Sequence, residues 1–117
     1  MSASELQKAL GSTRELKITV KGRKSGREIS LPVWFVYEGT KLHLLPVEGS
    51  STNWFRNLLN DSGMKISVKG VESSVQARPV TQSQKVIEVA DKFRARYGTG
   101  EVRKYYSRFD VCVELKL

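Results

Sequence analysis

The chain has 117 residues, 39% hydrophobic and 27% charged, with a formal net charge of +8. That length suits a single domain, residues 1–117, with a sizeable core. No apolar run approaches the ~18 residues that cross a bilayer, and Met1 to Leu10 has no signal-peptide core. Cys112 is the one cysteine and His43 the one histidine. An intrachain disulfide, a cysteine metal cluster and a Cys-His pair of recognisable spacing are therefore excluded. The expectation is a cytoplasmic protein without a metal centre. The basic balance favours an anionic partner: nucleic acid, a polyanionic cofactor or an acidic membrane surface.

Ser4–Leu10 reads as a short helix ended by Gly11. Arg14–Lys21 alternates, with Leu16, Ile18 and Val20 on one side, which marks a half-buried strand. Glu28–Tyr37 reads as a second, more buried strand. Pro32 inside it marks an edge, a bulge or a kink, because proline donates nothing to a ladder. Leu42–Val47 is a third strand broken by Pro46. Ser51 or Thr52 then caps a helix over Asn53–Leu59, with Trp54 and Leu58 on one face. Met64–Lys69 and Glu72–Val80 form a hairpin about a tight turn at Gly70-Val71, with Val75 and Ala77 inward. Thr81 and Gln84 form a capping box for a helix whose apolar face is Val86, Ala90, Phe93 and Tyr97, closed by Gly98. A second short helix falls within Gly100–Ser107. Arg108–Leu117 ends the chain as an alternating strand, with Cys112 on its polar side. The expected fold is α+β: a six-stranded, mostly antiparallel small β-barrel with short helices inserted between strands.

The loop between the first two strands, Gly22-Arg23-Lys24-Ser25-Gly26-Arg27, concentrates the charge. From residue 14 to 27 six cations stand against Glu15 alone. Glycines let backbone N–H groups approach an anion, and Arg and Lys supply the charge for a phosphate or carboxylate. The loop is an anion-binding hairpin or a solvated basic tip; its residues alone leave both open. It lacks the spacing of a dinucleotide-binding or nucleoside-triphosphatase loop. No acid–base pair stands out, so enzymatic chemistry here would belong to a bound cofactor.

Gly-Arg-Lys-Ser-Gly-Arg-Glu after a strand, then Leu-Pro-Val-Trp-Phe, a Gly/Ser loop and Asn-Trp-Phe-Arg-Asn-Leu, resembles the deazaflavin-dependent nitroreductase family. That family belongs to the split β-barrel, flavin-binding, pyridoxamine-phosphate-oxidase-like superfamily. The resemblance spans Leu16 to Val80 by motif and the remainder by order of elements. It implies that Arg23, Lys24, Ser25 and Arg27 hold the phosphate and acidic tail of coenzyme F₄₂₀. Pro32, Val33 and Trp34 would lie along the flat ring. Leu45, Pro46, Val47, Gly49 and Ser50 would pass along its other edge and the phosphate, and Asn53 and Trp54 would brace that loop. Trp54 reads equally as plain core. Tyr105 and Tyr106 fall where the family places substrate-side tyrosines. The implied activity is hydride transfer to a quinone, nitro compound or activated double bond, in a homodimer.

Two positions depart from the family pattern. Ile29 stands where a basic or polar residue is usual. Glu48 replaces a cation that would face the phosphate, at a cost of roughly 1–4 kcal/mol for a carboxylate near that charge. These departures keep open FMN, haem, a differently placed deazaflavin, or a cofactor-free relative. A nucleic-acid-binding barrel is the other class, with Trp34 and Tyr37 as stacking candidates.

Overall fold

The structure is a computed structural model that describes residues 3–117. Helix α1 (Ala3–Gly11) leads into strands β1 (Glu15–Lys21), β2 (Glu28–Trp34), β3 (Val36–Glu38) and β4 (Lys41–Leu44). A single 3₁₀ turn (Gly49–Ser51) and α2 (Asn53–Asn60) precede β5 (Gly63–Val68) and β6 (Val71–Val80). Helices α3 (Ser83–Tyr97) and α4 (Thr99–Tyr105) then lead to β7 (Cys112–Lys116).

The strands form one antiparallel sheet in the order β2-β1-β5-β6-β7-β4-β3, curled into a half-barrel within an α+β fold. There are seven strands where six were expected, because the run Glu28–Tyr37 breaks at Phe35. Its first part pairs with β1 at one edge of the sheet and its second with β4 at the other. One short stretch of chain thus joins the two edges, which is what bends the sheet round. The break takes Phe35 out of the ladder while its side chain is fully buried. Tyr97 supplies the missing partners. Its hydroxyl accepts from Phe35 N–H at 3.1 Å, and it lies 2.8 Å from Phe35 O and 2.7 Å from Arg14 O. Its single proton goes to one of those carbonyls at a time. Pro32 sits in β2, an edge strand, as a residue without an N–H requires.

Two apolar clusters follow from the patterning. Leu16, Ile18, Val20, Met64, Ile66, Val68, Val113 and Leu115 point into the half-barrel, where Phe55 and Leu58 of α2 join them. Val86, Val89, Ala90 and Phe93 of α3 pack on the other side, with Val102 and Cys112. Cys112 is therefore buried rather than on a polar face: α3 covers the side of β7 that alternation assigned to solvent. Burial, the largest influence, pushes its thiol up to about 11.

Local signals were partly redirected. Strand β4 stops at Leu44, and Pro46 and Val47 belong to the following loop. The hairpin between β5 and β6 turns at Lys69-Gly70, both with positive φ (49° and 79°), not at Gly70-Val71. Thr52 precedes α2 but makes no capping bond to it; its hydroxyl accepts from Glu48 N–H instead. The Thr81–Gln84 box does not form, and Gln82 stands at the N-cap of α3. Gly98 does end α3, with φ of 98° and its N–H donated to Arg94 O. No helix among the described residues is long and apolar enough to cross a membrane.

Candidate functional site

A cleft of about 790 Å³ opens where the end of β2 faces the loop after β4, with α2 and α4 closing its sides. Each wall comes from a different part of the chain. Strand β2 supplies Ile29, Leu31, Pro32, Val33 and Trp34; the loop supplies Leu45, Val47 and Glu48; Thr52, Asn53, Trp54 and Asn57 come from the start of α2. Glu15, Glu101, Tyr105 and Tyr106 complete it.

Trp34 is fixed before any ligand arrives. Its indole stacks on Tyr97, with centroids 4.3 Å apart and planes at 8°. Tyr105 meets it edge-on at 5.6 Å and 83°, and Tyr106 lies at 6.0 Å. Offset stacks and edge contacts of this kind hold rings in place. Tyr97 is thus both the patch over the Phe35 break and the backing of the cleft wall. Burial raises the hydroxyl pKa of Tyr97 and of Tyr106 above the phenol range, so both are neutral donors.

The loop opposite is rigid for a different reason. Ser50 N–H and Ser50 Oγ–H both donate to the Asp110 carboxylate, at 2.9 and 2.5 Å. Ser107 N–H donates to Val47 O at 2.8 Å, and Arg108 Nε pairs with Asp110 at 3.2 Å. The Ser50 hydroxyl bond chiefly holds the Asp110 carboxyl below its ordinary pKa. Inside the loop, Gly49 N–H goes to Pro46 O, Ser51 N–H to Glu48 O and Thr52 N–H to Gly49 O. With Glu48 N–H on Thr52, every N–H from Glu48 to Thr52 has a partner within the protein.

Of the residues singled out from sequence, Pro32, Val33, Trp34, Leu45, Val47, Asn53, Trp54, Tyr105 and Tyr106 come together on the cleft. Trp54 is also core, at 5% exposure. Pro46 is buried; Gly49 and Ser50 sit behind the loop, against Asp110. Lys24, Ser25 and Arg27 are exposed at the hairpin tip and do not line the cleft. Arg23 turns inward: its N–H and Nη1 donate to Asn57 Oδ1 at 3.1 and 2.7 Å. Gly22 N–H closes the hairpin on Arg27 O, Gly26 N–H returns to Gly22 O, and Arg27 N–H is taken by Ser25 Oγ. Together with Arg23, four of the loop's N–H groups are committed internally. Glu15, Leu31, Thr52, Asn57 and Glu101 were not anticipated. A period-of-four signal does mark two of them, since Asn57 follows Asn53 by four and Glu101 precedes Tyr105 by four on their helices.

The cleft suits a flat ring. Its volume lies within the roughly 300–1,000 Å³ of small-molecule sites, and its walls are aromatic and branched. It does not suit a phosphate at the loop, where the N–H groups are spent and Glu48 faces the space. A phosphate-bearing tail would have to lie along the hairpin, outside the lining residues.

The fold has solved counterparts. An F420-H2 dependent reductase (FDR-A) is 16% identical over 88% of this chain and 94% of its own, with a TM-score of 0.67. A FAD-binding protein from Mesorhizobium loti is 14% identical over 100% and 90%, at 0.71. HutZ, the heme storage protein from Vibrio cholerae, is 16% identical over 97% and 88%, at 0.71. At these identities the likeness is one of fold. No curated protein matches the chain. The family described as "Uncharacterized protein conserved in bacteria (DUF2255)" matches residues 5–110, nearly the whole of the half-barrel and its helices, and the chain belongs to that family.

Proposed function

We propose that the cleft binds the flat ring of a flavin-type cofactor and that the protein is a reductase. Deazaflavin F₄₂₀ is the cofactor favoured, with FMN as its nearest alternative. The bound cofactor would supply a hydride for a quinone, a nitro compound or an activated double bond. The observation that carries this reading is the pre-set wall Pro32-Val33-Trp34, with Trp34 held by Tyr97, facing Leu45 and Val47 across about 790 Å³. Trp34 and Val33 cover a ring face. Asn57 offers its amide N–H groups to an oxygen acceptor, with its Oδ1 held by Arg23. Lys24 and Arg27 stand exposed along the hairpin, where an acidic tail would find them.

The rim of this cleft includes three of the large exposed apolar side chains, Ile29, Val47 and Tyr105. A second copy of the chain covering that rim is part of the proposal, and light scattering at micromolar concentration tests it. The nucleic-acid reading is not favoured: Trp34 already stacks on Tyr97, and the cleft's lining residues include carboxylates but no cation.

The test is tryptophan fluorescence of the purified protein titrated separately with F₄₂₀ and FMN. Quenching that saturates in the micromolar range and is reduced in Trp34→Phe, with Trp54 on the same cleft reporting the remainder, supports the reading, and the preferred ligand names the cofactor. Quenching by neither refutes it.

A further inference from the structure

A second cavity, of about 180 Å³, lies between α3 and the strands β3, β4 and β7, and shares no lining residue with the cleft. His43 of β4 lines it and is half-buried there. Its ring makes no hydrogen bond or ion pair with another described residue. Charged groups face it from every element around the cavity. Strand β3 brings Glu38, β4 brings Lys41, and β7 brings Glu114 and the Cys112 thiol. Helix α3 brings Lys85, Glu88 and Lys92, and Arg78 of β6 stands opposite Glu114 in the sheet.

The carboxylates nearest in kind to a partner for His43 are already engaged. Lys92 pairs with Glu38, and Lys41 pairs with Glu114 at 3.0 Å. Glu88 is exposed on α3, and Cys112 is a neutral thiol. A proton on His43 therefore sets a third cation beside Lys41 and Lys92, with no carboxylate released to meet it. Burial first, and Lys92 next, hold the imidazole below its ordinary value of 6.5, outweighing the opposite pull of Glu114 and Glu38.

The pair that this charge opposes has a structural task. Helix α3 grips the segment Phe35–Glu38 at two points. Tyr97 closes the break at Phe35, and Lys92 holds Glu38 at the far end of β3. Val36 lies between them, packed with Val89 and Phe93 of α3, and its partner across the ladder is His43. Lys92 and Tyr97 are five residues apart on one helix, about 7.5 Å along its axis. Loosening one grip thus tilts the helix that carries the other, and Tyr97 is the ring on which Trp34 stacks at 4.3 Å.

We propose that His43 is an acid-responsive element: on taking up a proton it opens the Lys92–Glu38 clasp between α3 and β3, and so slackens the hold of Tyr97 on Trp34 in the cleft wall. As a statement about release of a flat ligand this rests on the cofactor reading; as a statement about Trp34 it does not, and its test uses no cofactor. The sign follows from linkage. A histidine held low in the fold gives stability that is complete above its ordinary value and is lost as the pH falls through the lower, folded one.

One histidine in the chain gives one imidazole signal, so proton NMR of the tag-free protein from pH 8 to pH 5 follows His43 directly. Histidine is the one side chain that ordinarily titrates in that window. The expected midpoint lies below 6.5. Tryptophan emission should shift to the red with the same midpoint, and the melting temperature should fall by at least about 2 °C more than in His43→Gln between pH 7.5 and pH 5. His43→Gln should lose the emission shift. Lys92→Met should show the red-shifted emission already at pH 7.5 and should raise the imidazole midpoint, because a cation has left its side. A midpoint at or above 6.5, emission that stays still while the imidazole titrates, or a shift that persists in His43→Gln overturns the proposal. If either variant fails to fold, agreement or disagreement of the two midpoints in the parent chain decides it.

Discussion

A Cβ at Gly49 would lie 2.1 Å from Asp110 Oδ1 and 3.0 Å from Arg108 Cγ. The Asp110 carboxylate can reach the Ser50 N–H and hydroxyl only because Gly49 presents bare backbone, at a φ of +57° that also favours glycine. Gly49→Ala should therefore cost on the order of 3 kcal/mol, from the left-handed backbone and the displaced carboxylate together. Urea denaturation measures it. An effect below about 0.5 kcal/mol, the range of ordinary surface changes, would show that the contact is not needed.

The same carboxylate gives a pH dependence. Its folded pKa lies below the ordinary value of about 3.9, chiefly through the Ser50 hydroxyl bond. The stability it contributes is complete above that ordinary value and is lost as the pH falls through the lower, folded one. Asp110→Asn should be less stable than the parent at pH 7, and the gap should close below about pH 4. Glu38 and Glu114 are lowered as well, by hydrogen bonds from Lys92 and Lys41, so the variant keeps a reduced acid slope. A gap that stays constant down to pH 2 would contradict the assignment.

Tyr97→Phe removes one oxygen and leaves Phe35 N–H unpartnered at a buried strand break. A buried donor without a partner costs about 1–3 kcal/mol, and the stacked ring remains. The expected result is lower stability with Trp34 emission little changed. A stability equal to that of the parent would mean that the break needs no patch.

Arg23 and its neighbours on the hairpin should separate in two assays. Arg23→Ala removes the guanidinium donor on Asn57 Oδ1 while the backbone N–H stays there, and should lower the melting temperature by a few degrees, equivalent to about 1 kcal/mol. Lys24→Ala and Arg27→Ala touch exposed groups, leave the melting temperature alone, and should weaken only anionic-tailed ligands, most strongly at low salt. Unchanged affinity for such ligands in a Lys24/Arg27 double variant would remove the hairpin from the binding site.

Much of this molecule is legible in its sequence where the signal is local. Alternation in Leu16–Val20 and Met64–Val68, and the three- and four-residue spacing from Val86 to Tyr97, place strands and helix because each pattern has one side to bury. The aromatic part of the cleft, Trp34 with Tyr105 and Tyr106, was reached through a motif resemblance rather than a pattern. What escaped depends on distant partners. The break at Phe35 is satisfied by a residue 62 positions away. Arg23 reads as a free cation until Asn57, 34 positions on, claims it. Thr52 has the chemistry of a helix cap, and the loop before it offered its hydroxyl a different donor. In each case a polar group chose among partners of similar local worth, and the tertiary fold decided.

The place of β7 has a consequence for how the protein comes into being. It is the final strand in sequence order, yet it lies inside the sheet between β6 and β4. Until residues 112–116 leave the ribosome, both of those strands present open edges to whatever is nearby, the condition that invites edge-to-edge association. Residues 112–116 thus supply the piece that joins the two halves of the sheet, and a nascent chain halted before Cys112 should need a chaperone where one that has passed them does not.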